Sequence, residues 1–327
     1  MEAMFKAEDI EALRGGLPAI NFGMVSAPAE RLQAYCKFYG LDIESLASGI
    51  DAEIHHSSGC FPAAGFRIAC HHFFQTGSKG TAFVLHGYYD HVGLYAHLIR
   101  YFLHKRLDVV AFDLPGHGLS TGAQASIDSF SEYGEVLSEC LQRAGAAGLA
   151  QPWHLVGQST GATIAMDHCL RMGDQAAELL DKVVLLAPLI HPKAWARGRL
   201  LHTLLQHFVT GVSRDFADNS SDREFLHFVR AVDPLQSRQL TARWVGGLKQ
   251  WLLAFEQYPP SMLPVQVIQG AADSTVDWRY NLKRIREKFP RAGMHMLAEA
   301  RHHLVNESPE IRARIFQILD ALFKETD

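Results

Sequence analysis

Between residues 81 and 188, four short segments dense in Val, Leu and Phe alternate with longer stretches of helical periodicity. The apolar segments are TAFVLHG (81–87), DVVAFDL (108–114), WHLVG (153–157) and KVVLLAP (182–188); the helical stretches are 93–104, 126–146 and 160–172. A strand that is apolar at nearly every position, rather than at every second one, has both faces buried. Such strands, joined by helix-length connections, form a parallel sheet, because a parallel neighbour can be reached only by a crossover. The alternation therefore restricts the chain to the α/β class. It resumes with VQVIQG (265–270), a helix near 278–289 and a short strand at 293–297. A last helix begins at Ser308-Pro309 and repeats Ile311, Ile315, Leu319 and Leu322 on one face.

Two regions depart from this pattern. Residues 1–50 read as amphipathic helix, with Ser26 and Pro28 placed to start a helix through Ala34 and Phe38. A strand pair at 52–58 and 66–75 follows, separated by turn-prone Ser-Ser-Gly and Ala-Ala-Gly segments. Residues 190–258 carry helical periodicity, as in Trp195, Leu200, Leu204 and Phe208, and no strand pattern. The expected organisation is an N-terminal helical extension (1–50) packed on an α/β core (51–189 and 259–327). A helical cap (190–258) is inserted after the sixth strand of a mostly parallel central sheet with helices on both faces.

Composition narrows the partners. A formal net charge of −4 gives no general reason to expect nucleic acid. The N-terminus has no secretory signal and no run is long enough to span a membrane, so a cytoplasmic location is expected. Cys36, Cys60, Cys70, Cys140 and Cys169 form no CxxC pair and are expected to be reduced and packed as small apolar residues. Eighteen histidines include the pairs His55-His56, His71-His72 and His302-His303. Adjacent residues on a strand face opposite sides, and no metal-ligand spacing occurs, so no metal is expected.

At 157–161 the strand WHLVG runs into a helix through Gly157-Gln158-Ser159-Thr160-Gly161. A serine at a tight strand-to-helix turn has its hydroxyl pushed clear of the sheet, and small neighbours permit the bend. Alone, the pattern is a weak signal. A nucleophilic serine also needs a base and a group that orients the base, and in this topology both follow later strands in the order Ser, acid, His. After 265–269 comes GAADSTVDW, with Asp273 in the loop and Asp277 four residues on; after 293–297 comes EARHHLVNE, with His302 and His303. Asp273 is preferred for its closeness to the strand end, and Asp277 can cap the helix that starts at Trp278. Glu299 reads as a solvated loop charge. An oxyanion would be held by the backbone N–H groups of Thr160 and of Tyr88, in the loop His86-Gly87-Tyr88-Tyr89-Asp90-His91. His86 and His117 read as structural.

Several of these segments carry a family resemblance. HGYYDHVGLY (86–95), FDLPGHGLSTG (112–122), GQSTG, GAADSTVD (270–277) and ARHHLVNE (300–307) resemble motifs of the α/β-hydrolase fold. More narrowly, they are similar to those of the monoacylglycerol lipase and bacterial lysophospholipase group. Gln158 stands where that group often has His, and Ala162 where it often has a second Gly. The resemblance selects His302 over His303 as base and implies a Ser159–His302–Asp273 triad needing no cofactor. It implies hydrolysis of a small-molecule acyl ester with a medium or long chain, such as a monoacylglycerol or lysophospholipid. Short-chain esters or thioesters, aminopeptidase activity, and a catalytically silent ligand-binding role are the alternatives. Within 190–258, nine Lys and Arg against six Asp and Glu give +3. That mildly basic, apolar insert suits weak contact with an anionic membrane surface, although scatter of surface charge accounts for it nearly as well.

Overall fold

In the computed structural model, residues 5–25, 29–206 and 208–324 are described. The N-terminal extension holds α1 (Asp9–Gly16), α2 (Glu30–Tyr39) and α3 (Ile43–Ala47). Ser26 and Pro28, expected to open α2, lie outside the described residues; the helix ends at Gly40 in the left-handed conformation. The hairpin β1 (Ile54–Ala63) and β2 (Phe66–Gln75) follows, then β3 (Thr81–Leu85), α4 (Ala96–His104), β4 (Asp108–Phe112) and α5 (Phe130–Ala146). Next come β5 (Trp153–Gln158), α6 (Thr160–Met172), α7 (Asp174–Leu179) and β6 (Leu180–Leu186). The insert contains α8 (Trp195–Leu205), β7 (Gly211–Ser213), α9 (Arg223–His227), β8 (Gln239–Thr241) and α10 (Ala242–Gln257). The chain closes with β9 (Val265–Gly270), α11 (Trp278–Lys288), β10 (Gly293–Leu297) and α12 (Pro309–Leu322).

The large sheet has the order β1-β2-β4-β3-β5-β6-β9-β10, antiparallel at β1-β2 and β2-β4 and parallel from β4 onward. Strand residues divide between two cores, as unbroken apolar runs require. Phe83, Leu85, Leu155, Val183 and Val267 join one core with α5, α6 and α11; Ala82, Val84, Val156, Val184 and Ile268 join the other with α4 and α12. The N-terminal helices complete the second core through Leu13, Leu32, Tyr35, Tyr39 and Leu46. Cap helix α10 buries Trp244, Leu248, Trp251 and Phe255 in the first core, where Trp244 and Trp251 lie against Phe130 of α5. Among the described residues, no helix is long and apolar enough to cross a membrane.

Two expectations need correction. Ser57-Ser58-Gly59 is not a turn: β1 continues to Ala63, and the reversal is the two-residue loop Ala64-Gly65, both at positive φ (48° and 79°). The serines are buried in the strand, where Ser57 Oγ donates to the Asn21 carbonyl at 2.7 Å. Gly59 leaves room for the N-terminal segment, since a Cβ there would stand 2.7 Å from the Pro18 oxygen. The insert is also not purely helical. β7 and β8 pair antiparallel, with Gly211 opposite Thr241. Three residues per strand are too few to display an alternating pattern.

Candidate active site

Ser159 occupies the turn between β5 and α6 with φ 54° and ψ −110°, a conformation costly for a residue with a Cβ and kept where surroundings enforce it. The flanking glycines show why only small residues fit. A Cβ on Gly157 would collide with the Gly161 backbone, and one on Gly161 would run into the Leu85 and His86 carbonyls. The strained turn is pinned by Ser159 N–H donating to the Leu186 carbonyl at 2.8 Å, which ties it to the end of β6.

His302 and Asp273 meet this serine from loops after β10 and β9. His302 Nε2 lies 3.0 Å from Ser159 Oγ, and His302 Nδ1 lies 2.8 Å from Asp273 Oδ2. Asp273 is in turn fixed by the Thr275 and Val276 N–H groups on Oδ1 (2.8 and 3.1 Å) and by Gln269 Nε2 on Oδ2 (3.0 Å). Burial works against the charged form of each partner. For His302 the Asp273 carboxylate outweighs that penalty, leaving its pKa above the usual imidazole value. For Asp273, burial is likewise overcome by His302 and the N–H donors, and its pKa is lowered.

The alternative residues have other partners. Asp277 caps α11, accepting from Tyr280 N–H at 3.3 Å. His303 Nε2 lies 3.1 Å from Asp90 Oδ2 and its ring packs on Phe225. Glu299 pairs with Arg314 at 2.8 Å in solvent. His86 bridges its own loop, with Nδ1 on the Gly87 carbonyl and Nε2 accepting from Leu114 N–H, both at 2.8 Å; burial pushes its pKa down to about 3. His117 is buried as well, on the Pro115 carbonyl.

Tyr88 stands beside Ser159 on the lining of one cavity. Neither its backbone N–H nor that of Thr160 donates to any described residue. The loop is clamped by the cap: the Tyr88 ring stacks on Trp244 of α10 at 3.9 Å between centroids, and its hydroxyl donates to the Ala125 carbonyl. Three residues along, His91 Nε2 lies 3.0 Å from Asp233 of the cap, both side chains fully buried. Asp233 also accepts from Tyr39 of α2 (2.7 Å), Gln236 Nε2 (2.9 Å) and Leu235 N–H (3.0 Å). Extension, cap and loop thus converge on one carboxylate.

The cavity, about 410 Å³, is roofed by the insert; Leu201, Val209, Val212, Leu240, Trp244 and Val245 give it an apolar wall. Of the insert's aromatic and leucine residues, Trp251, Leu252 and Phe255 pack into the core, Phe228 packs on Phe38 and Tyr39, and Phe208 and Leu253 are exposed. Sequence reasoning missed Gln158 and Gln269 as supports. Gln158 Nε2 donates to the His302 carbonyl at 2.8 Å, so the residue noted only as a departure positions the imidazole's backbone.

Residues 76–309 match the family described as serine aminopeptidase, S33. Phospholipase YtpA of Bacillus subtilis (strain 168) is 33% identical over 204 residues, which cover 59% of this chain and 76% of that protein. The monoglyceride lipase of Homo sapiens is 26% identical over 269 residues, covering 78% and 86%. A solved structure of a soluble variant of the Saccharomyces cerevisiae monoglyceride lipase superposes with a TM-score of 0.69 at 16% identity, covering 83% of this chain and 95% of that one, a likeness of fold.

Proposed function

The chain belongs to the serine aminopeptidase S33 family of α/β-hydrolase-fold proteins, and from that starting point we propose that it hydrolyses carboxylic esters through an acyl-enzyme on Ser159. His302 takes the Ser159 proton as Oγ attacks the ester carbonyl, and Asp273 orients the imidazole and balances its charge. The N–H groups of Tyr88 and Thr160 hold the oxyanion. His302 then protonates the leaving alcohol, and water releases the acyl group by the same steps reversed. The observation that carries this reading is the hydrogen-bond chain from Asp273 through His302 to Ser159, facing a cavity with a largely apolar wall.

The substrate is a medium- or long-chain acyl ester. The apolar wall contributed by the insert supports this, as do the lipid substrates in the names of the phospholipase and monoglyceride lipase relatives. An aminopeptidase would need a carboxylate free to hold the substrate ammonium. Asp90 is the one carboxylate among the described lining residues, and it is occupied by the Tyr95 hydroxyl at 2.9 Å and faces His303. Weak membrane contact through the cap is part of the same proposal. Leu200, Leu204, Phe208 and Leu253 are between 62% and 82% exposed, with Arg197 and Arg199 exposed beside the leucines of α8. Cosedimentation with anionic but not neutral vesicles at low salt is the expected result.

The deciding assay is hydrolysis of nitrophenyl esters from acetyl to palmitoyl, wild type beside Ser159→Ala. We expect a maximum at medium or long chains, lost in the variant. A maximum at acetyl or butyryl keeps the mechanism and discards the lipid. No serine-dependent turnover at any length points to a ligand-binding role.

A further inference from the structure

Arg214 lies in the insert just after β7 and lines the same cavity as Ser159 and His302. Its guanidinium is sandwiched between two rings, 3.9 Å from the Tyr89 centroid and 4.2 Å from that of Phe216. Nη1 donates to Gln236 Oε1 at 2.7 Å and to the Ser237 carbonyl at 3.2 Å. Both acceptors are neutral. Among the described residues, no carboxylate comes within ion-pair distance of Arg214, and its Nε and Nη2 donate to no described residue.

A cation held out of bulk water is costly, and burial lowers the Arg214 pKa from its usual value even though the more distant Asp90 and Asp233 carboxylates act in the opposite direction. Aromatic faces and two neutral acceptors offset part of that cost and fix the plane of the fork. They leave two nitrogens for a ligand with paired oxygens. Lys193, exposed on the cavity lining, adds a second cation that makes no ion pair with a described residue. Against these two stands Asp90, already opposite His303.

Building on the ester-hydrolase reading, we propose that Arg214 forms an anion subsite in the Ser159 cavity, to whose lining Lys193 adds positive charge, and that the preferred substrates are acyl esters bearing a phosphate or carboxylate group. The apolar wall takes the acyl chain and the guanidinium fork takes the anion, so one substrate spans both environments. A neutral glycerol ester would leave the fork without a partner.

The test compares three lauroyl esters: of glycerol, of glycerol phosphate, and of glyceric acid, each below its aggregation concentration. Kinetics are measured for the wild type, Arg214→Gln and Arg214→Lys. We expect the wild type to favour one of the anionic esters in kcat/KM, and Arg214→Gln to cut the anionic-to-neutral ratio by about 10- to 100-fold, mainly through KM. Arg214→Lys, which keeps charge but not the fork, should recover part of it. The ester whose ratio falls further identifies phosphate or carboxylate as the anion. If Arg214→Gln lowers all three esters equally, Arg214 only clamps Tyr89 and the subsite is refuted. The same holds if the wild type favours the neutral ester. Should Arg214→Gln not fold, inhibition of neutral-ester hydrolysis by dodecyl phosphate, dodecanoate and dodecanol in the wild type decides. Either anion should inhibit at least 10-fold more strongly than the alcohol, and equal inhibition refutes the proposal. Absence of Ser159-dependent turnover on every ester would instead defeat the ester-hydrolase reading itself.

Discussion

Replacing Asp233 by Asn keeps the volume of the side chain and removes its charge at the point where the cap, the extension and the loop 86–91 meet. The wild-type carboxylate accepts three hydrogen bonds and faces His91 at 3.0 Å, with neither side chain exposed. In the variant an amide NH₂ opposes the His91 and Gln236 donors, and His91 loses its counterion. Removing one partner of a buried pair costs about 3–5 kcal/mol. A chain of this length gains roughly 0.7 kcal/mol per kelvin of entropy on unfolding, so the melting temperature should fall by about 4–7 °C. The pH dependence has a definite sign. Burial lowers the His91 pKa, but Asp233, with Asp113 and Asp90, more than reverses this and raises it. For Asp233, burial is overcome by His91, Tyr39 and Gln236, and its pKa falls. The pair's contribution is therefore complete between the unfolded values of about 4 for Asp and 6.5 for His, and it declines as pH rises through the folded His91 pKa. Thermal unfolding of both proteins at pH 6 and pH 9, followed by tryptophan fluorescence, should show the larger deficit at pH 6. A shift below 1 °C, or a deficit that widens towards pH 9, would refute the reasoning.

Two further outcomes follow from the site. Asp273→Asn should lower kcat on the order of 10³–10⁴-fold with little change in KM, because the amide no longer holds the imidazole in the tautomer that accepts the serine proton. Since His302 must be neutral to act as base and its pKa is raised, wild-type kcat/KM should climb with pH through an apparent pKa above 6.5. A pH–rate profile already flat from pH 5.5 would contradict this. Gly161→Ala should destabilise by about 3 kcal/mol or more, as its Cβ meets the Leu85 and His86 carbonyls. Gly15→Ala on α1, with nothing within 4 Å, should instead stabilise by about 0.5–1 kcal/mol; urea titration separates the two.

The sheet and its helices were legible because strands buried on both faces announce themselves in composition. The runs at 81–87, 153–157 and 265–270 correspond to β3, β5 and β9, within a residue or two at their ends. The meeting of Ser159, Asp273 and His302 was legible because each follows a strand end, where the topology leaves few positions. The hairpin turn was misjudged because Ser-Ser-Gly has turn chemistry, whereas what holds it in β1 is contact with residues 18–21, invisible locally. Tyr39, His91 and Asp233 are separated by up to 194 residues, and no local pattern links them. Arg214 was equally hidden: in sequence it is one of nine basic residues in the insert, and its place on the cavity lining, against two rings and two neutral acceptors, arises only in three dimensions.

The roof over Ser159 is held unevenly. Helix α10 buries six residues against the core, whereas none of the described side chains of α8 is buried. Local opening free energy scales with what an element buries, so α8 can detach for little while α10 opens only with the domain. The cap is therefore anchored along its α10 edge, and backbone amides of α8 should exchange with solvent sooner than those of α10.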